Sequence, residues 1–158
     1  MKIKFRILIV LVICALTTNT AFSQSKSLQP NIPLVKYNAN VKSPLTSVEL
    51  RFIEEAYGDK AETYVLSNSQ RVKDIKNLLR NRVVITEIPN VRDQKKAPLL
   101  SQVPLFDFYV KDLKRDTTFN PKTFNPLKYL FNVHGLQGEM YRVDNTNYFI
   151  LIKSQHEQ

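Results

Sequence analysis

The sequence predicts an α+β domain: two helices packed on one face of a mainly antiparallel four- or five-stranded sheet with a C-terminal β-meander. Two segments in the first half carry apolar residues at spacings of three and four behind capping signals, which is the mark of amphipathic helices. Strand-like alternation dominates the second half and ends in Tyr148-Phe149-Ile150-Leu151-Ile152. The order helices, strand, meander favours two segregated layers over a doubly wound sheet.

The chain opens with Lys2, Lys4 and Arg6 before an apolar run from Ile7 to Leu16, then small and polar residues closing on Ala21-Phe22-Ser23-Gln24. This predicts a secretory signal peptide over 1–23, cut after Ser23. The apolar run is shorter than the ~20 residues of a transmembrane span, and an uncleaved anchor is the alternative. Lipoprotein processing at Cys14 is rejected because Ile13, not a small residue, precedes it. Loss of 23 of the 158 residues leaves 135, enough for one real core, and takes the only cysteine, so the mature chain relies on that core with no disulfide. Three cations leave as well, taking the formal charge from +9 to +6. That surplus suits attraction to an anionic envelope component, or equally plain solubility. No nucleic-acid-binding module is recognisable, so nucleic acid is not expected as a partner. In its signal peptide and size the chain resembles small exported proteins of Gram-negative bacteria built on a lone α+β domain, which implies the periplasm or the extracellular space.

Residues 24–40, with Pro30 and Pro33 and no helical period, read as a flexible leader ahead of a single domain over 41–153. Helix 45–57 begins with Thr46 and Glu49 as a capping box, carries Val48, Phe52, Ile53 and Ala56 on one stripe, and stops at Gly58. Residues 60–66 read as a further turn or two of helix, with Ala61, Tyr64 and Val65 inward. Ser67 with Gln70 predicts the cap of a second helix over 68–81, whose Val72, Ile75, Leu78 and Leu79 form the core face. Lys73, Lys76 and Arg80 fall together on the opposite side of the wheel. They make a basic ridge that reads either as a solvated face near the helix C-terminus or as a binding site for an anion or a partner.

Residues 83–88 are a β-branched run and the first strand, stopped by Pro89. A loop leads to Pro104, and Phe106, Phe108 and Val110 suggest an edge strand over 105–113. The tandem Phe119-Asn120-Pro121 and Phe124-Asn125-Pro126 predicts two turns, each anchored by its Phe. The meander follows: 127–133 with Tyr129, Phe131 and Val133 on one face, then 140–143, a turn at Asp144 to Asn147, and 148–152, apolar on both faces and therefore interior. Residues 154–158 are a polar tail.

Chemistry is thin. His134 is the only histidine outside the tail, no nucleophile signature accompanies it, and it reads as a turn residue. No metal-ligand spacing is present, and the pairs Asp59/Glu62 and Asp112/Asp116 read as surface charge. With only three glycines, phosphate loops and dinucleotide fingerprints are excluded, and no cofactor is expected. Tyr109, Phe119, Phe124, Tyr129, Tyr141 and Tyr148 are candidates for stacking on glycans, though a domain without Trp needs most of them in its core. The expected function is a non-enzymatic binding module of the envelope or extracellular space, partnered by an anionic envelope component or another envelope protein. The alternatives are a small envelope hydrolase and a structural partner in an envelope complex.

Overall fold

Two Asn-Pro turns and one glycine decide how the loops of this α+β protein meet its helices. The computed structural model describes residues 34–89 and 97–156. The signal peptide, the leader up to residue 33, part of the loop after Pro89 and the end of the tail lie outside the described residues.

Helix α1, Ser47–Tyr57, starts at the predicted capping box: Thr46 Oγ1 accepts from the Glu49 amide at 3.2 Å and Glu49 Oε2 accepts from the Thr46 amide at 2.8 Å. It ends at Gly58, whose φ of 52° combined with ψ of −134° lies outside the left-handed helical region that Asn can share, so it calls for glycine. A Cβ there would also meet Val110 Cγ2 at 3.0 Å, so the glycine lets the loop carrying Val110 close onto the helix end. Residues Glu62–Leu66 form a π-helical turn in which Val65 is buried, as is Ala61 just before it, while Tyr64 stays outside.

Helix α2, Ser69–Asn77, is capped by Asn68 rather than Ser67. Asn68 Oδ1 accepts from the Arg71 amide at 3.0 Å, while the Ser67 hydroxyl donates back to the Thr63 carbonyl. A π-helical turn, Leu78–Arg82, carries α2 directly into the first strand.

The sheet of the described residues is three-stranded and antiparallel, with β3 (Tyr148–Ile152) between β1 (Val83–Glu87) and β2 (Glu139–Arg142). Val83 and Glu139 both pair with Ile152. The turn joining β2 to β3 uses Asn145 at φ 55°. Ile150 and Phe149 in the central strand are wholly buried.

The structure differs from the predicted meander at 127–133. The alternation there is real, with Tyr129 and Phe131 buried and Leu130 exposed, but the segment is not a sheet strand. Pro126–Lys128 is a 3₁₀ turn, and its backbone partners lie in the 104–106 loop: the Phe106 amide donates to Lys128 O at 2.8 Å and the Leu130 amide to Pro104 O at 2.9 Å. Pro104 has no N–H to extend the pairing, so it stops at a single bridge between Leu105 and Tyr129. The edge strand expected over 105–113 is likewise absent. Phe106 packs beneath α1 and α2 while Phe108 is 68% exposed, so the two do not share a core face.

The core has two adjoining parts. One joins Ile150, Ile152, Tyr141 and Val143 of the β2–β3 hairpin to Leu100, Val103, Phe124, Tyr129 and Phe131; the other joins Phe52, Ile53, Ala56, Val65 and Ile75 of the helical layer to Leu127. Leu78 packs against both. The loops, more than the helices, therefore cover this face of the sheet.

Candidate functional site

The basic ridge is largely covered: Lys76 is buried, and Lys73 and Arg80 are half-buried. Residues 36–44 fold back across that side of α2, and their backbone carbonyls, which need donors, take the cations. Lys76 is only 8% exposed and its Nζ donates to Ser43 O at 3.0 Å. Arg80 grips Glu49 with two hydrogen bonds, Nε to Oε1 at 2.5 Å and Nη2 to Oε2 at 2.6 Å, and also donates to the carbonyls of Pro44 and Asn40. Lys73 Nζ sits 3.9 Å from the centroid of the Tyr37 ring. The Arg80 hydrogen bonds hold the Glu49 carboxyl below its ordinary range against the opposing effect of burial, and the same contact raises Arg80. The outward projection expected of Lys73, Lys76 and Arg80 is thus replaced by a clasp on the chain's own segment. The folded contacts reach back to Lys36, whose carbonyl accepts from Asn77 Nδ2 at 3.5 Å, inside the stretch read from sequence as leader.

An open cleft lies elsewhere, between α1 and the loop 110–118. It is a cleft of about 590 Å³, continued by a hollow of about 500 Å³ along Arg51 and Glu54, with Glu55 and Thr123 shared by both. Its floor is the ammonium of Lys128, whose side chain is 4% exposed. Nζ lies 2.6 Å from Asp116 Oδ1 and 3.1 Å from Glu55 Oε1. Burial works against the charge on Lys128, but the two carboxylates outweigh it and hold the ammonium above the ordinary lysine range.

Each wall has a cause in the sequence. Glu55 is fixed through its second oxygen by Asn125, whose Nδ2 donates to Glu55 Oε2 and to Phe52 O at 3.0 Å each. Asn125 is itself 1% exposed, and its Oδ1 accepts from the Leu127 amide, closing the second Asn-Pro turn. The first turn works the same way: Asn120 Oδ1 accepts from the Lys122 amide, and the Thr123 amide donates to Asn120 O. Phe119 and Phe124 anchor the tandem with ring centroids 5.3 Å apart. The opposite wall is pinned by Arg115, which donates to Leu100 O at 2.9 Å and to Val103 O while its guanidinium lies 5.5 Å from the Tyr129 ring.

Beside the cleft stands an aromatic terrace. Tyr57, Tyr109 and Tyr64 stack in sequence, with centroids 5.4 Å and 4.9 Å apart and planes inclined by 22° and 27°. Phe106 closes the inner side at 5.1 Å from Tyr57; Tyr64 is 41% exposed. Of the aromatics singled out for glycan stacking, Phe124, Tyr129 and Tyr141 are core, Phe119 and Tyr148 pack against it, and Tyr109 alone joins the terrace, half-buried between Tyr57 and Tyr64.

His134 is exposed on a turn and does not line the cleft. Asp59 and Glu62 are exposed; Asp112 lines the cleft and Asp116 is drawn to Lys128. No group of three or more His, Cys, Asp or Glu side chains able to hold a metal occurs among the described residues, and no helix among them is long and apolar enough to cross a membrane. Sequence reasoning missed Glu55, Asn125 and Lys128. The Asn-Pro tandem was the signal that could have placed Asn125, whereas reading 127–133 as a strand put Lys128 on the outer face. Compared with known proteins, the chain matches no family model, no curated relative and no solved structure.

Proposed function

We propose that the mature chain is a non-enzymatic binding module of the cell envelope or extracellular space, exported by a signal peptide cut after Ser23, and that it takes its ligand in the cleft between α1 and residues 110–118. The observation that carries this reading is the fixed polar floor: Glu55 is held on both oxygens, by Asn125 and Lys128, and Lys128 is held by Asp116 as well. Groups locked in place before a ligand arrives lose little entropy on binding it, which is the chief economy of a recognition site. A buried ammonium kept protonated has no lone pair for nucleophilic attack, which favours recognition over covalent chemistry. The alternative is a small envelope hydrolase in the same cleft, and the approach of two carboxylates to one ammonium is what speaks for it. The cleft is preferred to the basic ridge of Lys73, Lys76 and Arg80, whose cations lie against residues 36–44.

Thr118 is exposed on the cleft wall, so Thr118→Trp fills the cleft without touching the core. The test is co-sedimentation of the protein with envelope fractions. Wild type should sediment with one fraction and Thr118→Trp should not, at an unchanged melting temperature; equal retention of both would exclude the cleft. N-terminal sequencing of the exported protein checks the processing, and a mature chain that keeps Cys14 would contradict it.

A further inference from the structure

We infer that the ligand is a neutral saccharide chain, with one sugar ring laid on the outward face of Tyr64 at the end of the terrace and the hydroxyls of further sugars in the polar cleft. The inference rests on the binding reading above and narrows it to one ligand class.

Charge is the first argument. The cleft lining pairs three acids, Glu55, Asp112 and Asp116, with three bases, Lys114, Arg115 and Lys128. An anion wants donors alone and a cation wants acceptors alone. A lining balanced between the two satisfies neither, but it suits a ligand whose every polar group both gives and accepts a hydrogen bond, and a sugar hydroxyl is such a group. Thr117, Thr118 and Thr123 add hydroxyls of the same dual character to the walls.

Desolvation is the second. Lys128 and Glu55 are already paired and hydrogen-bonded before any ligand enters, so a neutral ligand need not strip a bare charge of its water. Hydroxyls then replace water at the lining one for one.

Continuity is the third. Tyr109 belongs to the terrace and Val110 lines the cleft. The terrace and the cleft therefore draw on consecutive residues, and one extended ligand can reach both. A pyranose has the matching division, an apolar C–H face for an aromatic ring and equatorial hydroxyls along its rim. Tyr109 is sandwiched between Tyr57 and Tyr64, so it backs Tyr64 and leaves the outer face of that ring for a sugar.

The test is a ¹⁵N–¹H NMR titration of the full chain with maltohexaose, cellohexaose and chitohexaose, each raised to about 10 mM so that a millimolar dissociation constant is visible. At least one should shift the amides of Tyr64, Thr117 and Thr118. Tyr64→Ala should weaken that binding roughly tenfold, equivalent to about 1.4 kcal/mol, and Thr118→Trp should abolish it at unchanged melting temperature. Absence of shifts with all three sugars overturns the inference, as do shifts that survive Thr118→Trp. Silent sugars together with envelope co-sedimentation that Thr118→Trp abolishes would overturn the ligand class while leaving the cleft as the binding site.

Discussion

Arg80→Ala should be among the most damaging single changes outside the apolar core, although a helical wheel places Arg80 on the solvent face. Its guanidinium makes both hydrogen bonds to Glu49 and reaches the Asn40 and Pro44 carbonyls, with the Arg80 and Glu49 side chains only 14% and 10% exposed. Breaking one side of a fully buried pair costs about 3–5 kcal/mol. Residual solvent access and the surviving Thr46 amide bond to Glu49 reduce that, so we expect about 2–3 kcal/mol. At about 4 °C per kcal/mol for a domain of this size, the melting temperature should fall by about 8–12 °C. Glu49→Gln and the double variant complete a cycle that isolates the pair, with an expected coupling above about 1 kcal/mol. Because Glu49 titrates below its reference value of 4.5, its contribution is present above that pH and is lost as pH falls through the depressed folded value. Wild type should therefore lose more stability than Arg80→Ala as the pH is lowered through the acid range. A change within about 0.5 kcal/mol, or no coupling in the cycle, would refute the clasp and return Arg80 to an ordinary surface cation.

Ile150→Ala, at a side chain with no exposure in the central strand, should cost about 2–5 kcal/mol in a denaturant or thermal melt; a near-neutral result would mean that β3 is not interior. Asn125→Ala removes a buried amide serving Phe52 O, Glu55 and the Leu127 amide, and should cost about 2–3 kcal/mol by thermal melt. The Tyr141 phenol is pushed up to about 12 by burial and by its hydrogen bond to the Glu139 carboxylate. Ultraviolet titration should find one tyrosine ionising near that value, and the stability Tyr141 contributes should be complete below pH 10 and fade as pH rises toward 12.

Local signals in the sequence reached the structure intact where a few neighbouring residues settle the outcome. The Thr46/Glu49 capping box, the Gly58 stop, the turn at Asn145 and the apolar strand 148–152 are all of that kind. The failures are long-range. Nothing near Lys73, Lys76 and Arg80 indicates that carbonyls more than 30 positions away would come to meet them, as Ser43 meets Lys76 at a separation of 33. The alternation of Tyr129 and Phe131 reported burial correctly, yet partner choice fell to Pro104 and to the Asn125-Pro126 turn, which sequence periodicity does not encode. The cleft was illegible for the same reason, since Glu55, Asp116 and Lys128 come from three separate segments and each reads alone as surface charge.

The central claim is that recognition occurs in the cleft beside Lys128, and site-specific photocrosslinking in the native envelope tests it most directly. Benzophenone side chains are placed singly at Lys111, exposed at the cleft rim between the lining residues Val110 and Asp112, and at Leu136, which is 67% exposed but outside the cleft. The account predicts a discrete adduct from position 111 and none from position 136. An adduct from position 136 with none from position 111 would contradict it.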